Sequence, residues 1–131
     1  NILYDVANNK YRIIDPRGRW GNTIFGDIKY DLAKLRHSIV GGYDSINNGL
    51  FSIECNNNSL KISTLKPVQY QKVSNDFDLW VSKNWNLEQI KMIEGLLFIS
   101  MLPLHNDDLK KQLAFFAIGI QRLNEIDFTK I

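Results

Sequence analysis

Asn1-Ile2-Leu3-Tyr4-Asp5-Val6 and Tyr11-Arg12-Ile13-Ile14 flank the turn-forming run Ala7-Asn8-Asn9-Lys10. The flanks are apolar or β-branched at strand-favouring positions, and the asparagines tolerate positive φ. The pattern predicts an antiparallel hairpin with strands over 2–6 and 11–14. Asp15-Pro16-Arg17-Gly18 ends it, because Pro16 removes a ladder donor and Gly18 permits a sharp change of direction. A turn centred between Asn8 and Asn9 makes paired residue numbers sum to about 17, so Ile2 faces Asp15. Asn1 and Asp15 are then expected at one end of the hairpin, an amide oxygen beside a carboxylate. Two hard oxygen ligands with room for water and phosphate suit Mg²⁺.

Beyond the hairpin, a glycine-punctuated loop over 19–26 leads to Asp27, a plausible N-cap. Ile28, Leu32, Leu35 and Ile39 recur at helical spacing, and Gly41-Gly42 closes that helix. Leu50–Glu54 and Leu60–Leu65 read as a second hairpin around Asn56-Asn57-Asn58, its second strand alternating wet and dry until Pro67. Asn75 or Asp76 is expected to cap a short helix carrying Phe77, Trp80 and Val81. Asn86 and Gln89 have capping-box spacing. The helix after them, with Ile90, Ile93, Leu97 and Met101 on one side and Leu96, Phe98 and Ile99 on others, is expected to be buried over most of its surface. After Pro103, a last helix runs from about Leu109 to Glu125 with Leu113, Phe116, Ile120 and Leu123 inward. The fold class is α+β: two β-hairpins, then a mainly helical bundle, in a single domain over 1–131.

Composition narrows the function. A net charge of +2 with scattered basic residues does not make a nucleic-acid surface. The apolar run from Ile90 to Leu104 contains Lys91 and Glu94 and falls short of the ~20 apolar residues a membrane span needs. A single cysteine, Cys55, leaves no internal disulfide; a buried, inert thiol and a reducing cytoplasm are expected. The chain starts at Asn1 with no basic or cleavable leader, which reads as a cut inside a longer protein.

The order of these motifs resembles the aminoglycoside-phosphotransferase and choline-kinase family, relatives of the protein kinases. There a His-x-Asp-x-x-x-x-Asn loop runs into a strand, and a strand-turn-strand leads to a metal-binding aspartate. Asn1-Ile2-Leu3-Tyr4-Asp5 looks like the end of that loop and its strand. Ile13-Ile14-Asp15-Pro16-Arg17-Gly18 looks like the aspartate motif. Gly26-Asp27-Ile28-Lys29-Tyr30-Asp31-Leu32-Ala33-Lys34-Leu35 looks like the following helix, whose aspartate, here Asp31, braces the catalytic loop. Members associated with capsular polysaccharide are closest, sharing Asp-Pro-Arg-Gly and a late stretch like Pro103-Leu104-His105-Asn106-Asp107-Asp108. The resemblance is specific over residues 1–44 and looser afterwards.

The resemblance implies the C-terminal lobe of a protein-kinase-like fold. It implies Asn1 and Asp15 as metal ligands, Asp31 as a supporting residue, and Arg17, Trp20 and His105 near substrate or phosphate. Mg²⁺ and ATP are the implied cofactors and a small molecule's hydroxyl (sugar, polyol or amino alcohol) the acceptor. The catalytic base and nucleotide lobe are absent from these 131 residues, so phosphate transfer is expected of the parent protein and not of this chain alone. A surface left apolar by the missing lobe favours self-association. A non-catalytic interaction module on the same fold is the alternative.

Other readings stand beside these. Asp15 also suits an ordinary Asp-Pro turn. Asp31 also suits a surface pair with Lys34 or Arg36, Arg17 a solvated turn, and His37 a surface or helix-packing position. His105, Asp107 and Asp108 also suit a helix N-terminus capped by Asn106 with aspartates favourable to its dipole. Trp80, Trp85, Phe115 and Phe116 are expected in the core.

Overall fold

The computed structural model describes residues 2–14 and 19–131. It is an α+β arrangement of two separate two-stranded antiparallel sheets and five helices among the described residues. The first sheet pairs β1 (Ile2–Asp5) with β2 (Lys10–Ile13). Its register corrects the expectation, since Ile2 faces Ile13 rather than Asp15. The cause lies in the turn. The Asp5 carboxylate accepts from the Asn8 backbone N–H at 3.2 Å and the Asn8 side-chain amide at 2.8 Å, while Asn9 takes φ 49. These bonds close the loop at Asp5–Lys10, one pair earlier on each strand than a turn over 7–10 would. All eight strand residues are exposed.

Helix α1 (Ile28–Ile39) starts where Asp27 accepts the Lys29 backbone N–H at 2.9 Å, as the spacing predicts. It ends at Val40, followed by Gly41 and Gly42, and Gly42 adopts φ 78. Helix α2 (Tyr43–Asn47), which the sequence did not announce, places Ile46 in the core. β3 (Phe51–Asn56) and β4 (Ser59–Thr64) form the second hairpin, with Asn56 opposite Ser59. Ile62 and Thr64 are half-buried between exposed Lys61 and Ser63, the alternation read from the sequence. Cys55 is exposed, against the expectation of a buried thiol.

Helix α3 (Gln69–Asn84) begins directly after Pro67, well before Asn75 or Asp76. Pro67 stands just before the N-cap Val68, and its carbonyl accepts the Tyr70 N–H at 2.9 Å, so the helix starts there without a side-chain cap. Trp85 and Asn86 alone connect it to α4 (Leu87–Ser100), where the Asn86 side chain accepts the Gln89 N–H at 3.2 Å. Within α4 only Leu96 and Ser100 are exposed. A 3₁₀ turn over Leu102–His105 leads to α5 (Leu109–Asn124), capped by Asp108 rather than Asn106.

Helix α4 separates two packed clusters. On one side Phe98 joins Ile46, Ala114, Phe115 and Ile118. On the other Leu97 joins Leu32, Ala33, Val81 and Ile90. Phe98 and Phe115 are fully buried, contributing about 1.5–3 kcal/mol each. Two helices face inward differently from expectation. On α1 the buried set is Leu32, Ala33, Arg36 and His37, while Ile28 and Leu35 are exposed. On α5 it is Ala114, Phe115, Ile118 and Gly119, while Leu113, Phe116 and Ile120 are exposed, as is Trp80 of α3. The α4–α5 contact selects small residues. A Cβ on Gly95 would lie 2.7 Å from Leu123, and one on Gly119 would lie 2.8 Å from Ile99. Turning the larger apolar stripe inward would push these helices apart.

Candidate functional site

Two arrangements carry polar chemistry. The first lies where the loop before α1 folds back on that helix. Trp20 and Thr23 exchange backbone hydrogen bonds of 2.7 and 3.0 Å across Gly21, which takes φ 56. This turn lays the Trp20 indole edge-on against Tyr30, ring centres 4.5 Å apart. It also covers Gly26, where a Cβ would come within 2.6 Å of the indole nitrogen. Glycine is required there by close approach. Trp20 is thus fastened to the first turn of α1, the turn that carries Asp27 and Asp31.

The structure therefore brings together two of the residues singled out from the sequence, Trp20 and Asp31, around the start of α1. Asp31 is exposed, and among the described residues no hydrogen bond or ion pair reaches its carboxylate. Arg36, offered as its surface partner, is buried and committed elsewhere. His105 is not part of this grouping. Its ring lies 4.9 Å from that of Phe115, against the cluster on the other side of α4. Asn1, Asp15 and Arg17 lie outside the described residues. Among the described residues no three His, Cys, Asp or Glu side chains are grouped to hold a metal ion, and no helix is long and apolar enough to cross a membrane.

The second arrangement is a buried charge network that the sequence reading missed. The Arg36 guanidinium grips Asp78 in a two-bond fork, 2.8 Å through Nε and 2.9 Å through Nη2, and donates through Nη1 to Glu94. Glu94 is fully buried, and its other oxygen lies 3.9 Å from Arg122 Nε. One network thus joins α1, α3, α4 and α5. Burial opposes the charge on Arg36, yet its bonds to Asp78 and Glu94 hold its pKa above the ordinary value. Burial pushes the Glu94 carboxyl up, against the pull of Arg36 and Arg122. A fork of this kind gives direction as well as energy and sets the rotation of each helix. The signal that could have exposed it is Glu94 itself, a carboxylate inside the most apolar helix of the chain.

His37 sits beside this network, 2% exposed. Its ring stacks on Tyr43 at 4.5 Å and packs on Phe98 at 4.0 Å. Burial, and secondarily Lys34, lower its pKa to about 3, so it is a neutral packing residue at neutral pH.

Compared with protein-family models, with curated proteins and with solved structures, the chain matches none of them.

Proposed function

We propose that this chain is part of an ATP- and Mg²⁺-dependent phosphotransferase acting on a hydroxyl of a small molecule, in the manner of the aminoglycoside-phosphotransferase relatives. The observation that carries the reading is the ordered run of an antiparallel hairpin, a tryptophan-pinned loop and an Asp27-capped helix bearing Asp31. That order matches the metal-binding half of such a site. Exposed apolar residues on β1 and β2 fit a hairpin that another lobe covers. The same exposure suits a non-catalytic interaction module, the second reading.

In the proposed enzyme Asn1 and Asp15 hold the metal. An amide oxygen and a carboxylate are the hard donors Mg²⁺ prefers, and its waters and nucleotide oxygens complete the shell. MgATP supplies the phosphoryl group and the charge neutralisation that such transfers rest on. The resemblance assigns Arg17 to the phosphates, Trp20 to the substrate and Asp31 to the support of the loop that carries the base, while His105, packed on Phe115, stays outside this grouping. A member of the capsule-associated group would take a polyol, sugar or amino alcohol precursor.

The test is paramagnetic broadening by Mn²⁺ with ATP. Amide signals of Ile2, Ile13, Ile14 and Trp20 should fade selectively, and Asp15→Asn should restore them. Broadening centred on Asp107 and Asp108, or indifferent to Asp15→Asn, refutes the metal assignment. A His-x-Asp-x-x-x-x run encoded directly ahead of Asn1 then separates an active parent from an interaction module.

A further inference from the structure

We propose that the cleft between the C-terminal end of α1 and the first turn of α3 binds a small phosphorylated molecule, its phosphate held by Lys66 and Arg122. The cleft encloses about 450 Å³, within the ordinary range for a small-molecule site. Two cations line it and no carboxylate does. Tyr70, Gln71 and Ser74 add a ring, an amide and a hydroxyl on one wall.

Lys66 is held in place. Its ammonium donates to the Val40 carbonyl at 2.6 Å, which uses one of its three N–H groups. Its stem crosses Gly42, where a Cβ would come within 2.8 Å of Lys66 Cε. Arg122 reaches the cleft from α5. Its Nη1 donates to Glu125 at 2.7 Å and its Nε faces the Glu94 carboxylate at 3.9 Å, which leaves Nη2 to turn to a ligand. Helix α3 presents its N-terminal turn here, and Val68 at its cap supplies no side-chain acceptor. The Pro67 carbonyl takes the Tyr70 N–H at 2.9 Å, and the dipole of a 16-residue helix favours an anion at that end. The cleft thus sets the two remaining N–H groups of Lys66 beside the paired Arg122 and a helix start without a side-chain cap, and a phosphate would accept from these donors. Burial and then the neighbouring Arg122 lower the Lys66 pKa, and Glu94 pulls it the other way.

The site shares no residue with the proposed metal-binding half, so the failure of either reading leaves the other standing. Titration of the ¹⁵N-labelled chain with inorganic phosphate and then glycerol 3-phosphate, at constant ionic strength, tests it. Saturable shifts are expected at the amides of Val68 to Gln71, with glycerol 3-phosphate the tighter ligand. Lys66→Gln should weaken binding roughly tenfold, and Lys66→Arg should weaken it less. Shifts that never saturate, shifts spread over surface lysines, or equal affinity in Lys66→Gln overturn the proposal and leave Lys66 a structural cap of α1. Should Lys66→Gln fail to fold, Gln71→Glu places a carboxylate on the exposed rim. Loss of binding supports the site, and unchanged binding rejects it.

Discussion

The helical body and the first hairpin distribute polarity in opposite ways. In the body a glutamate and an arginine lie inside, Glu94 at 0% exposure and Arg36 at 3%. In the hairpin two isoleucines lie outside, Ile13 at 79% and Ile2 at 57%. The difference lies in partners. Glu94 and Arg36 have each other, Asp78 and Arg122, and each helix involved also contributes apolar packing. The hairpin has its own ladder, a Tyr4–Tyr11 stack at 4.8 Å and the Asp5–Asn8 turn. Two strands alone are marginal in water. The body supplies partners for its buried charges, and the hairpin leaves its apolar side chains exposed.

The sharpest way to break that contrast is to remove one member of the buried network. Glu94→Ala leaves Arg36 with one partner fewer and should cost about 3–5 kcal/mol in urea unfolding. A loss no larger than that of a hairpin substitution would erase the distinction. Gly41→Ala tests packing next to the network. Its Cβ would lie 2.7 Å from the His37 carbonyl and within reach of Phe98, and a loss of about 1–3 kcal/mol is expected.

The contrast also has a pH signature. The His37 pKa falls from 6.5 to about 3 on folding. As pH drops below 6.5 the unfolded chain takes up a proton that the folded chain refuses, so stability declines until about pH 3. The slope from this one group approaches ~1.4 kcal/mol per pH unit. His37→Phe should flatten the curve by that amount over the same window, measured as the difference between the two proteins. An identical slope in both would mean that the ring takes its proton in place. The smallest effect is expected at Tyr11→Ala, which loses a stack on an exposed sheet and should cost less than about 1 kcal/mol. A larger value would mean that the hairpin supports the body.

Helix α4 was legible because it is apolar nearly all round, and burial on most sides leaves no facing to choose. The extents of α1 and α5 were legible from Asp27, Gly41-Gly42 and the apolar spacing, but their rotations were not. Arg36 faces inward because Asp78 and Glu94, 42 and 58 residues away, meet it there. Gly119 and Ala114 face inward because small side chains let α5 approach α4, and small side chains give almost no hydrophobic signal. The start of α3 was missed because Pro67 was read as the end of a strand and not also as the beginning of a helix. The hairpin was visible in outline, but its register turned on an Asp5 side-chain bond that strand propensity does not encode. Of the candidate site, the grouping of Trp20 with the first turn of α1 follows from residues close in sequence. His105 was attached to it by motif order, and its packing on Phe115 is a tertiary matter.

The charge network has a consequence for how the molecule comes apart. Asp78, Arg36, Glu94 and Arg122 stand on four different helices, each a link in one chain of opposite charges. Pulling any one helix away strands a buried ion on its neighbour, a penalty that the departing helix cannot recover from water. Partial openings of the body are therefore disfavoured relative to complete ones, and its helices lose their order as a unit. A protease acting on the native protein would find β1–β2 available at once, and the four long helices only when all of them let go.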